Sequence, residues 1–273
     1  MMIKESFVLN NDVKMPQIGL GVLFAKDNGE VENAVTAALQ TGYRKIDTAS
    51  AYENEKGVGS AIQRSEIPRA SIFVTTKVWN TQQGYDQTLS AFDQSLARLQ
   101  MDYVDMYLIH WPVRSKYKET YKAMEHIYAS GRAKAIGVCN FSSAQLEDLM
   151  AHTSIVPALN QIEMHPHLSQ NQLLQFANRH TIQLEAWRPI MMGEVLAIPE
   201  LKKIGMAYGK SAVQVTLRWL IQRGVSVIPK SVNPLRIQEN FKIFDFELSD
   251  QEMLRIASLN QDRRLGEDLS HIE

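Results

Sequence analysis

A single cysteine, Cys139, occurs in the 273 residues. No disulfide can form within the chain, and the lone thiol fits a reducing compartment. An excess of charge of either sign is also missing. Lys and Arg number 29 against 30 Asp and Glu, a net charge of -1. That removes the case for nucleic acid or an anionic membrane as main partner. The opening residues, MMIKESFVLN, hold no apolar core of a secretory leader. No apolar run approaches the ~18 residues that cross a bilayer. A cytoplasmic protein is therefore expected. No linker-like break divides the chain, which is expected to form one domain over residues 1–273. The usual ligand fingerprints are incomplete as well. Gly19-Leu20-Gly21 and Gly57-Val58-Gly59 lack the third glycine of a dinucleotide loop. The stretch GMAYGKS (205–211) is one residue short of a phosphate-binding loop and follows no strand. It reads as a helix end and a cap. His165 and His167 have no third ligand nearby in sequence, so no metal is expected.

What is present is alternation. Hydrophobic residues make up 45% of the chain and charged residues 22%, the balance of an ordinary globular protein. Eight short apolar runs read as strands: 18–22, 43–47, 71–78, 103–110, 133–140, 157–164, 182–187 and 225–229. Amphipathic stretches lie between them. Val31, Ala34, Val35 and Ala38 share one helical face, and Gly42 stands where a terminating glycine belongs. Leu89, Phe92, Leu96 and Leu99 repeat that pattern. Four Ser-x-x-Gln/Glu pairs read as capping boxes: Ser142/Gln145, Ser169/Gln172, Ser211/Gln214 and Ser249/Glu252. Asn233-Pro234 reads as a cap followed by proline at the first helical position.

Eight strand–helix units over about 250 residues outline an α/β fold, a (β/α)8 TIM barrel, in preference to a doubly wound open sheet. Residues 7–15 predict a hairpin about Asn10-Asn11-Asp12 that plugs the barrel floor. Two serial helices, 199–208 and 211–223, follow the seventh strand. A last helix spans roughly 249–260, and the polar tail 262–273 reads as a loop.

In such a barrel chemistry sits at the C-terminal strand ends. Those ends carry Asp47, Lys77, His110, Asn140, Gln161 with Glu163, Trp187, and Lys230 with Ser231. Tyr52 lies just beyond the second strand. A phenol with a free pKa near ~10 gives its proton more readily when an ammonium stabilises the phenolate. Lys77 can be that ammonium, with Asp47 keeping it charged, and a neutral His110 can orient a carbonyl oxygen. The set suits protonation of a carbonyl oxygen while hydride arrives from a nicotinamide, since no side chain supplies hydride.

The runs GYRKIDTASAYENEKGVG (42–59), VTTKVW (74–79), YLIHWP (107–112), GRAKAIGVCNF (131–141), NQIEMHP (160–166), EAWRPI (185–190) and IPKSVNPLRIQEN (228–240) resemble the aldo-keto reductase family. The resemblance extends from about residue 6 to residue 263, and the short loop after His110-Trp111-Pro112 is similar to that of small-loop bacterial members. It implies a monomeric (β/α)8 enzyme that reduces aldehydes or ketones with NADPH. Its catalytic four fall on Asp47, Tyr52, Lys77 and His110. Asn140 and Gln161 then hold the nicotinamide carboxamide and Trp187 stacks on its ring. Lys230, Ser231, Val232 and Arg236 surround the 2′-phosphate, with Glu239 and Asn240 at the adenine. The basic residues beside a helix start that opens with Asn233-Pro234 suit an anion. Two positions depart from the family pattern. Cys139 and Arg188 stand where serine is usual, beside the carboxamide and the pyrophosphate. Leu23, Trp79, Trp111, Met191 and Met192 are expected to line an apolar, adaptable substrate pocket. The rival functions are a nicotinamide-binding regulatory subunit and a barrel hydrolase built on Glu163 and Glu185.

Overall fold

The computed structural model describes residues 6–267. A hairpin comes first: β1 (Ser6–Val8) pairs antiparallel with β2 (Lys14–Pro16). Alternation then runs β3 (Leu20–Gly21), α1 (Glu30–Thr41), β4 (Lys45–Asp47), α2 (Glu55–Arg64), β5 (Phe73–Val78), α3 (Tyr85–Leu99), β6 (Met106–Ile109) and α4 (Tyr117–Ala129). It continues with β7 (Ile136–Cys139), α5 (Ser143–Met150), β8 (Leu159–Glu163), α6 (Asn171–Arg179) and β9 (Gln183–Trp187). After β9 come α7 (Pro199–Tyr208), α8 (Ala212–Gln222), β10 (Ser226–Val227), α9 (Pro234–Phe241) and α10 (Asp250–Ala257).

Strands β3 to β10 form one parallel sheet in sequence order. Parallel bridges Ile18↔Val227 and Gly21↔Lys230 join its two edges, so the sheet curls into a barrel. Strands in a fully covered parallel sheet tolerate apolar residues on both faces, and β5, β6 and β7 are buried along their whole length. The helices cover the outside through apolar stripes such as Phe92, Leu96 and Leu99 of α3.

The hairpin does close the floor. Leu9 and Met15 are buried against Phe73, Met106, Leu108, Ala135, Ala158 and Leu159. Asn10 donates to the carbonyls of Val156 and Pro157, and Asn11 to that of Lys134.

Helix ends follow the local chemistry, with one exception. Ser142, Ser211 and Ser249 each form a reciprocal capping box. Gly42 ends α1 at φ 116°, a left-handed conformation that glycine adopts at little cost. In the stretch 205–211, Gly209 terminates α7 and Ser211 caps α8. The box expected at Ser169 does not form. Helix α6 starts at Asn171 behind Gln170, whose backbone is left-handed. The Ser169 N–H is spent on Asn260 Oδ1 of the C-terminal segment. A long-range partner has displaced the local cap. The expected tail loop holds through Glu267; its last residues, 268–273, lie outside the described ones. Among the described residues no helix is long and apolar enough to cross a membrane.

Candidate active site at the strand ends

Asp47 closes β4 and Lys77 lies one residue from the end of the neighbouring β5. Their register sets the two side chains together, with Lys77 Nζ 2.7 Å from Asp47 Oδ1 and 2.9 Å from the carbonyl of Thr48. A 3₁₀ turn, Ser50–Tyr52, then folds Tyr52 back over the pair. Ser50 Oγ fixes that turn by donating to the Lys77 carbonyl at 3.0 Å. The Tyr52 hydroxyl ends 3.4 Å from Lys77 Nζ. His110 extends β6, its N–H donating to Val78 O. Its ring meets the edges of Tyr52 and Trp79 at centroid distances of 5.5 and 5.0 Å. All four expected catalytic side chains therefore converge.

Their electrostatics corrects two expectations. Lys77, expected at an open strand end, is wholly buried behind Tyr52. Burial alone would drive its proton off, but Asp47 and Tyr52 more than offset that, and its pKa is raised above the ordinary lysine value. The Tyr52 phenol is not brought toward neutrality. Burial outweighs the Lys77 charge and pushes it up to about 12. Lys77 limits the rise and does not reverse it. His110 is held well below the usual histidine value, first by burial and then by Lys77, so the ring is neutral.

A groove of about 1460 Å³ opens over this cluster. Every residue assigned by resemblance to the cofactor borders it. Trp187 Nε1 donates to Asn140 Oδ1 at 2.9 Å, and Asn140 Nδ2 donates to His110 O at 3.0 Å. Asn140 itself is left-handed, φ 67°, which asparagine tolerates better than most residues. Gln161 Nε2 points into the barrel, to Asp47 Oδ2 at 2.7 Å and Glu185 Oε1 at 3.0 Å. Cys139 is buried, and burial pushes its thiol well up from the ordinary value. At the far end Asn233 Oδ1 accepts from the N–H groups of Leu235 and Arg236, capping α9. Arg188, at φ 50°, places its guanidinium 5.5 Å from the Trp187 ring centroid. Among the described residues no carboxylate pairs with Arg188, Lys230 or Arg236. Among the described residues the groove thus carries three uncompensated cations.

Of the expected substrate residues, Leu23, Trp79, Trp111 and Met192 border the groove, and Met191 does not. Both methionines are left-handed, at φ 53° and 54°, in the irregular 3₁₀ segment Met191–Ala197. That path buries Met191 completely in the core and throws Met192 outward.

Sequence reading missed a strap. Leu265, Gly266 and Glu267 cross the groove edge. The Leu265 N–H donates to Glu163 Oε1 at 2.7 Å, and the Gly266 N–H reaches both Glu163 oxygens at 3.1 Å. Burial would raise the Glu163 pKa, but these bonds and the one to His165 hold it below the ordinary value. Gly266 leaves no room for a side chain, since a Cβ there would stand 2.5 Å from Trp187 Cη2. A polar tail with one glycine gave no periodic signal for this. Replacing Glu163 by leucine orphans two backbone donors, at about 1–3 kcal/mol each. The expected outcome is faster proteolytic clipping after residue 262, read by mass spectrometry against the parent.

Both carboxylates of the hydrolase reading are already engaged. Glu163 is occupied by the strap, and Glu185 is buried in an ion pair with Lys45.

The aldo/keto reductase family model matches residues 17–261. Glyoxal reductase of Bacillus subtilis (strain 168) is 48% identical over 264 residues, covering 97% of this chain and 96% of that protein. The crystal structure of MGS-M4, an aldo-keto reductase enzyme from a Medee basin deep-sea metagenome library, superposes with a TM-score of 0.95 at 44% identity. The match covers 98% of this chain and 99% of that one. A Bombyx mori aldo-keto reductase in complex with NADP gives a TM-score of 0.90 at 35% identity, over 97% and 95% of the two chains.

Proposed function

The chain belongs to the aldo/keto reductase family, and from that premise we propose that it reduces aldehydes and ketones to alcohols with NADPH, Tyr52 giving the proton. The observation that carries this reading is the Tyr52–Lys77–Asp47 chain, set beside a neutral His110 at the foot of the groove.

The groove suits the dinucleotide. Its three cations, unpaired among the described residues, favour a polyanion, and the Trp187 indole lies beside both Arg188 and the amide of Asn140. Lys230, Ser231 and Arg236, with Val232 beside them, would hold the 2′-phosphate, and Glu239 and Asn240 the adenine. Arg188 would meet the pyrophosphate, adding a charge-assisted bond where serine is usual. Trp187 would stack on the nicotinamide ring, with Asn140, Gln161 and Cys139 around its carboxamide. When bound, that group supplies the hydride.

The chain's own residues do the rest. Neutral His110 orients the carbonyl oxygen of the substrate. Tyr52, protonated throughout the neutral range, passes its proton to that oxygen. Lys77 stabilises the phenolate left behind, and Asp47 keeps Lys77 charged. A raised phenol pKa is no obstacle in this direction, because the acid form is the working form. The alkoxide forming on the substrate is a stronger base than the phenolate.

Small dicarbonyl aldehydes are the proposed substrate class. Trp79, against His110, and Trp111 border the groove, and the Bacillus relative bears the name glyoxal reductase.

The test is NADPH oxidation with a carbonyl panel, followed in both directions against pH. Reduction is expected to be flat from about pH 6 to pH 9, since His110 and Tyr52 do not titrate there. Alcohol oxidation needs the phenolate and is expected to rise about tenfold per pH unit over the same range. Oxidation that ignores pH would remove Tyr52 from the proton's path.

A further inference from the structure

Beneath the active site lies a second buried ion pair. Lys45 and Glu185 have no solvent exposure and meet in the barrel interior, and Ser226 bonds to both. Room for Lys45 depends on Gly19, where a Cβ would stand 2.6 Å from Lys45 Cε. A buried ion pair is weak support for stability, since a packed apolar set of the same volume serves as well or better. Its connection upward gives it a use. Glu185 Oε1 accepts one N–H of Gln161, and Asp47 Oδ2 accepts the other. Asp47 Oδ1 in turn holds Lys77. The sequence of contacts is therefore Lys45, Glu185, Gln161, Asp47, Lys77, Tyr52. Both carboxylates accept only, so the Gln161 amide has one allowed orientation. Its N–H groups face inward, and its oxygen turns to the Cys139 side of the groove, 3.7 Å from Sγ.

We propose that Glu185, kept ionised by Lys45, is a positioning residue for the carbonyl reduction. It locks the Gln161 amide, which fixes Asp47 and so aims the Lys77 ammonium at Tyr52. This inference rests on the reductase reading above. Without the Glu185 acceptor, Gln161 has a buried donor to satisfy and a second orientation open to it. Asp47 then loses its second bond and with it a fixed direction toward Lys77.

The test replaces the pair without emptying its volume, using Lys45→Met with Glu185→Leu. The melting temperature is expected to stay within a few degrees of the parent or rise. With NADPH held saturating, so that any change in its hold by Gln161 is set aside, kcat is expected to fall at least tenfold. Lys45→Met with Glu185→Gln returns an amide oxygen that accepts from Gln161, and should bring kcat back to within about threefold of the parent. A folded leucine variant with the parent's kcat overturns the proposal, as does a glutamine variant no better than the leucine one.

Should the leucine variant not fold, Lys45→Met with Glu185→Met takes its place, since it also fills the volume and also lacks an acceptor for Gln161. The same fall in kcat and the same recovery in the glutamine variant are expected; a folded methionine variant with the parent's kcat overturns the proposal. A parent that reduces no carbonyl ends the reductase reading and this inference with it. A working parent matched by its variants ends the inference alone.

Discussion

Tyr52→Phe is expected to lower carbonyl reduction by about 10²–10⁴-fold, the usual contribution of a positioned general acid, with NADPH affinity within a few-fold of the parent. The hydroxyl touches Lys77 Nζ and makes no other side-chain bond among the described residues. Removing it leaves the phenyl ring against His110 and the ion pair beneath intact. Steady-state kinetics with NADPH held saturating gives the turnover, and titration of protein fluorescence gives the affinity. A variant that keeps its turnover would mean that the proton comes from elsewhere. A variant that loses turnover and cofactor affinity together would place the hydroxyl in binding.

The second large effect is expected at the other end of the groove. Lys230→Ala with Arg236→Ala removes two cations that no described carboxylate neutralises. A hydrogen bond to a charged group contributes about 1.5–3 kcal/mol, so NADPH is expected to bind at least 10²-fold more weakly. NADH lacks the 2′-phosphate and should lose less than about threefold. Dissociation constants measured side by side decide the matter. An equal loss for both dinucleotides would show that the two cations do not read the phosphate.

Much of this was legible in the chain because a covered parallel barrel separates its information cleanly. Apolar runs become strands, and a polar residue at the end of such a run has one destination. Asp47, Lys77, His110, Asn140, Gln161 and Trp187 could each be placed at the same rim before any contact was seen. What sequence concealed depends on distance along the chain or on burial. Lys45 and Glu185 are 140 residues apart, and nothing local says that they pair. The cap at Ser169 obeyed every local rule and lost its N–H to Asn260, 91 residues away. Met191 and Met192 look equivalent in sequence. Two successive left-handed residues send one inward and one out, and no side-chain preference foretells that. The acidity of Tyr52 was misjudged for a related reason. The attraction of Lys77 can be inferred from residue types, but the opposing cost of burial depends on how much protein surrounds the phenol.

The hairpin that seals the floor has a consequence for traffic. With Leu9 and Met15 wedged beneath the strands and the interior filled by side chains, ligands meet the reacting centre through the groove at the strand ends. Two ligands that share it cannot pass one another, so whichever reaches deeper has to arrive first and depart last. Ordered entry would then follow from a closed opposite pole, without any moving part at the mouth.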